Sequence, residues 1–339
     1  MAERVVLHVG AMKSGTSYLQ SLLYADRDGL ARQGVLVPGE TWNDQVVAVR
    51  QVLSRPKDAP RWAGLLGEIS GHPGPAVVSM EFLGPSRPEV AARVVESFGA
   101  TPVEVVVTAR DLNRTIASMW QETVQNGRSW SWDEYVDDVR AKRPGRGDGV
   151  ADRATAGGTF WRQQHVARMC RDWSSVVGRE RCSLVTVPPP GAAQSELADR
   201  FGAAAGISFT TTTVPARSNA SLGLASTLAL RRLNELLDER GLRFPAGQRL
   251  RKRRLAKEIL ASRRRDEPAL GLPVTEWVAQ QTTDTRAVLL EDGVTVVGDL
   301  ADLDPVEVPG VHPAQLPDAQ VAEAAVFGLA GLLEGQIRG

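Results

Sequence analysis

The stretch VVLHVGAMKSGTSYLQ, from Val5 to Gln20, constrains the fold more than any other segment. Val5 to Val9 is a β-branched run that halts at Gly10. From about Thr16 the apolar residues Tyr18, Leu19, Leu22 and Leu23 recur at helical spacing. A strand, a glycine-bounded loop and a helix, in that order, open α/β folds built on parallel sheets. Gly10 and Gly15 have the spacing of a nucleotide-binding loop, G-x-x-x-x-G-K-[ST]. Here Thr16 follows the second glycine, and the lysine stands earlier, at Lys13. Backbone N–H groups from Ser14 to Ser17 are expected to converge on an anion at a helix N-terminus, where the dipole favours negative charge. Thr16 and Ser17 add hydroxyl donors, and Lys13 approaches the anion from the start of the loop.

Three further apolar runs, Ala76 to Met80, Val103 to Ala109 and Cys182 to Val187, suit strands buried on both faces. The first two end at Glu81 and Arg110, and the third at the PPPG turn from Pro188 to Gly191. A helix is expected from near Asn113. This order predicts an α/β chain: a doubly wound, mostly parallel sheet flanked by helices, a three-layer sandwich of the P-loop kind, with a largely helical C-terminal part. The chain divides into a core, 1–221, and a helical extension, 222–339, expected to pack on the same domain. The EDG turn in AVLLEDGVTVVGDL, Ala287 to Leu300, reads as a hairpin between two strands. The segment Gln320 to Ile337 reads as a helix. The glycine- and charge-rich stretch from Ala141 to Gly158 reads as a lid or surface loop.

Composition narrows the function classes. Lys plus Arg is 40 and Asp plus Glu is 40, so a formal charge of zero exerts no global pull toward nucleic acid or a membrane surface. The two cysteines, Cys170 and Cys182, make neither a disulfide framework nor a metal-ligand set, and a reducing cytoplasm is expected. No signal-peptide pattern and no apolar run of transmembrane length is visible. The run Arg249 to Arg265 holds nine Lys and Arg against one acid, Glu258. It reads as a solvated helix face paired with acids elsewhere rather than as a recruiting surface. Trp120, Trp130, Trp132 and Tyr135 fit an acceptor pocket and a core equally well. Both a monomer and a homodimer are compatible with the sequence.

The loop HVGAMKSGTSYLQ resembles the 5′-phosphosulfate loop of sulfotransferases that use 3′-phosphoadenosine 5′-phosphosulfate (PAPS). Their pattern after a strand is K-[ST]-G-[ST]-[ST], which stands here as Lys13, Ser14, Gly15, Thr16 and Ser17. The family's second signature, an arginine at a strand end and a serine eight residues on, resembles Arg110 and Ser118 in VVVTARDLNRTIASMW. In the family this pair holds the donor's 3′-phosphate, a task that suits the planar guanidinium. Trp173 and Gly178 in WSSVVGRERCSLV are similar to a helix-to-strand stretch of the family. VPARSNASLG sits where the family places a late loop over the 3′-phosphate, implying roles for Arg217, Asn219 and Ser221. The glycine- and lysine-rich motif of the cytosolic eukaryotic enzymes is missing there. The chain is therefore more similar to bacterial or Golgi carbohydrate-type members. The resemblance implies transfer of a sulfuryl group from PAPS to a hydroxyl or amine of a small molecule or carbohydrate. The product 3′,5′-adenosine bisphosphate (PAP) is released, and no metal is required.

Such a transfer needs a cation for the charge growing on the bridging oxygen, which points to Lys13. It also needs a base for the acceptor proton. Glu81, at the end of the second apolar run, is the first choice, and His8, on the first strand, is the second. His165 reads as structural or substrate-lining, and His72 and His312 carry no role. Two alternatives stand beside this reading. One is an atypical P-loop kinase or NTPase, for which Asp111 would have to serve as the magnesium acid. The other is a nucleotide-binding module without catalytic activity.

Overall fold

A computed structural model of the chain describes residues 2–144, 154–214, 222–242 and 247–337. Arg217, Asn219, Ser221 and the middle of the 141–158 loop lie outside the described residues.

Five parallel strands form one sheet in the order β2-β1-β3-β4-β5. They are β1 (Val5–Gly10), β2 (Ala76–Ser79), β3 (Val103–Ala109), β4 (Cys182–Thr186) and β5 (Thr295–Val297). Along β1, Val5, Leu7 and Val9 face one side and Val6 the other, so both faces are buried. On the Val6 side lie α1 (Thr16–Ala25), α2 (Arg27–Arg32) and, later in the chain, α10 (Gln194–Ala205). The opposite face is covered by α3 (Trp42–Ser54), α4 (Pro60–Gly71), α5 (Pro88–Glu96), α9 (Val166–Val177) and the end of α12 (Glu276–Glu291). This is the expected α/β sandwich.

A third hydrophobic cluster forms a mainly helical cap, to which Leu222, Leu270, Leu272 and Leu316 are added from non-helical segments. It joins α6 (Leu112–Gln125), α7 (Trp132–Ala141) and α8 (Ala156–Gln164) to α11 (Leu224–Glu239), the basic helix Arg249–Ile259 and α13 (Asp318–Ile337). The helical part therefore draws on residues both before and after position 222. Trp120, Trp132 and Tyr135 are at its centre, with Trp120 and Tyr135 fully buried, so these aromatics are core. Trp130 is half-buried, and the Arg128 guanidinium lies 5 Å or less from its ring centroid, at 4.9 Å. No helix among the described residues is long and apolar enough to cross a membrane.

The expected hairpin near Gly293 is not formed. Residues up to Glu291 continue α12, Gly293 takes the left-handed conformation (φ 65°) just past the helix end, and β5 then pairs in parallel with β4. Asp-Gly serves hairpin turns and helix C-termini alike, and helical spacing decides between them only when strand partners are known.

Candidate active site

The loop after β1 is held at the carboxyl edge of the sheet, where the Ala11 N–H donates to the Thr108 carbonyl on β3 (2.8 Å). Lys13 (φ 63°) and Gly15 (φ 82°) both adopt the left-handed conformation. At Gly15 a Cβ would also crowd a terminal methyl of Leu197, which would have to shift. Gly15 is the N-cap of α1 and supplies no side-chain cap, and the first turn holds no acidic residue. The N–H groups of Lys13, Ser14, Gly15, Thr16 and Ser17 meet no acceptor among the described residues. A helix start that lacks its own cap and any competing carboxylate presents those donors to an external anion.

The side chains of the loop divide. Ser17 is exposed, and Thr16 is buried at the first turn. The Ser14 hydroxyl turns inward, donating to the Ala11 carbonyl (2.5 Å) and meeting the Thr108 hydroxyl at 2.6 Å. Ser14 thus braces the loop through its side chain and can offer a ligand only its backbone N–H.

Glu81 stands beside the start of the loop: a Cβ on Gly10 would lie 3.2 Å from the Glu81 Cβ. Gln20, on α1, donates to a Glu81 carboxylate oxygen at 2.5 Å and points its amide at the Ser79 carbonyl (3.4 Å). Sequence reasoning missed Gln20. Its signal was a polar residue on the buried stripe of α1, four positions after Thr16.

His8 is not at the cleft. It is fully buried, with Nδ1 2.7 Å from the Ser79 hydroxyl, Nε2 3.2 Å from the Thr108 hydroxyl, and Phe201 edge-on to its ring. Burial pushes its pKa down to about 3. Both nitrogens are engaged inside the sheet, so its place as second choice for the base falls. His165 caps α9, its Nδ1 accepting from the Arg168 N–H at 3.4 Å.

Arg110 follows β3 directly. Its Nη1 donates to the Lys13 carbonyl at 3.4 Å, and its Nε lies 3.9 Å from Asp111 and is buried without a hydrogen-bond partner. Burial, reinforced by Arg114 and opposed by Asp111, lowers the guanidinium to about 10. Ser118, two turns along α6, donates to the Arg114 carbonyl at 2.6 Å and is half-buried. Asp111 itself is fully buried. It caps α6 by accepting from the Arg114 N–H (2.9 Å), and it pairs with the Arg114 side chain. An acid engaged in that way is not presented to a magnesium ion.

On the same stripe of α6 as Ser118, one turn on, is Glu122. Its carboxylate lies 3.7 Å from the Lys13 ammonium and 2.7 Å from that of Lys252, which also reaches Asn126 at 2.6 Å. Burial raises the Glu122 pKa, and the Lys252 and Lys13 charges more than reverse it, down to about 2. At the start of α6, a pocket is lined by Arg110, Thr115, Trp161, Gln164, Thr282 and Leu303, among others. Gln164 donates to the Met12 carbonyl at 2.8 Å, joining this pocket to the loop.

Lys13, Glu81 and Arg110 are thus brought to one loop from three strand ends. No protein-family model matches the sequence, and no curated protein matches it. Among solved structures, a sulfotransferase from Alicyclobacillus acidocaldarius is similar, with a TM-score of 0.40 and 15% identity over 74% of this chain and 100% of that one. A likeness that shallow adds nothing to the geometry of the site.

Proposed function

We propose that the chain is a sulfotransferase that moves a sulfuryl group from PAPS to a hydroxyl or amine acceptor. The observation that carries this reading is the Lys13-Ser14-Gly15-Thr16-Ser17 loop at an uncapped helix start, with its N–H groups meeting no acceptor among the described residues and Arg110 against it. The fit extends to charge, because the buried Arg110 Nε has no hydrogen-bond partner among the described residues and a phosphate oxygen would supply one.

When bound, PAPS supplies an activated sulfuryl group on a phosphate leaving group. The loop N–H groups and Lys13 neutralise charge that grows on the bridging oxygen as the sulfur–oxygen bond breaks. Glu81, oriented by Gln20, takes the proton from the acceptor while its oxygen bonds to sulfur. Arg110 holds the 3′-phosphate, and Ser118 joins it by turning its hydroxyl from the Arg114 carbonyl to a phosphate oxygen.

The direct test is thermal stability with PAP beside ATP plus magnesium. A ligand confined to the folded state adds about 2.7 kcal/mol at a hundredfold excess over its Kd. A shift with PAP alone is expected; a shift only with magnesium ATP would hand the loop to a kinase. Arg110→Ala is expected to weaken PAP binding by about 1.5–3 kcal/mol, as for a lost hydrogen bond to a charged group. Calorimetry giving equal affinities would take Arg110 out of the site. Glu81→Gln keeps the hydrogen bond to Gln20 but cannot accept a proton. It is expected to slow transfer by about 10²–10⁴-fold at unchanged PAP affinity, and unchanged single-turnover rates would rule Glu81 out.

A further inference from the structure

The basic run brings more charge to the loop than the donor reading uses. Part of it is matched locally: Arg253 and Arg254 pair with Glu258, and Arg263 with Glu267 and Glu323. Leu255, Ala256 and Ile259 are buried, anchoring the helix on the cap and fixing the direction of the residues between them. Two lysines point elsewhere. Lys252 meets Glu122 at 2.7 Å, and Glu122 is also the carboxylate beside Lys13. Lys257 is half-buried and has neither a carboxylate within 4 Å nor a hydrogen-bond acceptor among the described residues. It feels the charges of Glu122, Lys252 and Lys13. Lys13 and Lys252 therefore share one carboxylate, Glu122, and Lys257 adds a third ammonium whose field they feel, so among the described residues this partly desolvated corner carries an excess of two positive charges.

Such an excess is unfavourable unless an anion completes it. The donor's own anionic groups already have partners: the loop N–H groups and Lys13 at one end, Arg110 and Ser118 at the other. We propose that Lys252 and Lys257 form a second oxyanion site, beyond Lys13, for an acceptor that carries its own sulfate or phosphate ester. This deepens the sulfotransferase reading and rests on it: the acceptor class becomes anionic, and the basic helix selects it.

The test titrates inorganic sulfate into PAP-saturated protein, against sodium chloride of equal ionic strength, and follows thermal stability. Wild type is expected to show a saturable shift with sulfate. Lys257→Gln, and the double variant Lys252→Gln with Lys257→Gln, are expected to weaken sulfate at least tenfold while PAP affinity stays within twofold. Arginine at both positions keeps the charge and is expected to restore the shift. Lys257→Gln removes a group with no partner among the described residues, so the fold is not at stake. No saturable shift in wild type, equal shifts in wild type and the glutamine variants, or a tenfold loss of PAP affinity would each overturn the proposal, the last by giving the lysines to the donor. If wild type binds no PAP at all, the sulfotransferase reading itself fails; intact PAP binding without a sulfate effect removes only the second site.

Discussion

Lys13→Ala is expected to lower the single-turnover rate of sulfuryl transfer by about 10²–10³-fold, the range for removing one preorganised donor from a developing oxyanion. Lys13 is fixed from two sides. Arg110 holds its carbonyl at 3.4 Å, and Glu122 lies 3.7 Å from its ammonium. The loop therefore delivers the charge with little freedom left to lose on the way to the transition state. Alanine also carries a Cβ, so the left-handed backbone at position 13 is strained no more than in wild type. The thermal midpoint of the free protein should be nearly unchanged. The rate loss should exceed the loss in PAP affinity, because the bridging oxygen gains charge only as its bond to sulfur breaks. A variant that turns over at near the wild-type rate would remove Lys13 from the chemistry.

The second large effect concerns His8, whose pKa falls from 6.5 to about 3 on burial. Between those values the unfolded chain takes up a proton that the folded chain does not. Stability is therefore complete above pH 6.5 and declines as pH falls toward 3, by about 1.4 kcal/mol per unit. Glu122, depressed from 4.5 to about 2, acts in a lower window. Its contribution is present above pH 4.5 and is lost as pH falls toward 2. The interval from pH 6.5 to 4.5 thus isolates the histidine. Urea unfolding at pH 7 and pH 5 should show wild type losing about 2 kcal/mol more than His8→Gln, a residue that can still bond Ser79 and Thr108 without titrating. Equal losses in the two proteins would mean that His8 opens to water and protonates while the chain stays folded.

What the sequence disclosed was local. β1, its loop and α1 are contiguous, and the loop's spacing is a direct consequence of backbone geometry. Arg110 was legible because a β-branched run ends on it. Glu122 and Lys252 were not, since 130 residues separate them and neither belongs to a motif. Their pairing depends on how the cap packs, which periodicity does not encode. Gln20 was hidden for a related reason: its partner, Glu81, is 61 residues away, just past the end of β2. The bracing role of the Ser14 hydroxyl was hidden likewise, because the Thr108 onto which it closes the loop is 94 residues away. The aromatics of α6 and α7 were ambiguous until α11 and the basic helix were seen to cover them.

The cap has a consequence for how a fold like this changes its acceptor. Its core is assembled from two separate lengths of chain, and α6, which begins at the sheet edge beside Arg110, contributes Trp120 to that core. Asn113, at the foot of the same helix, donates to the carbonyls of Leu272 and Val306 far along the chain. A recombination crossover anywhere between α6 and the basic helix would separate halves of one packed core. For the transferase proposed above, new acceptor preferences would then arise residue by residue within the cap, not by inheriting a foreign cap whole.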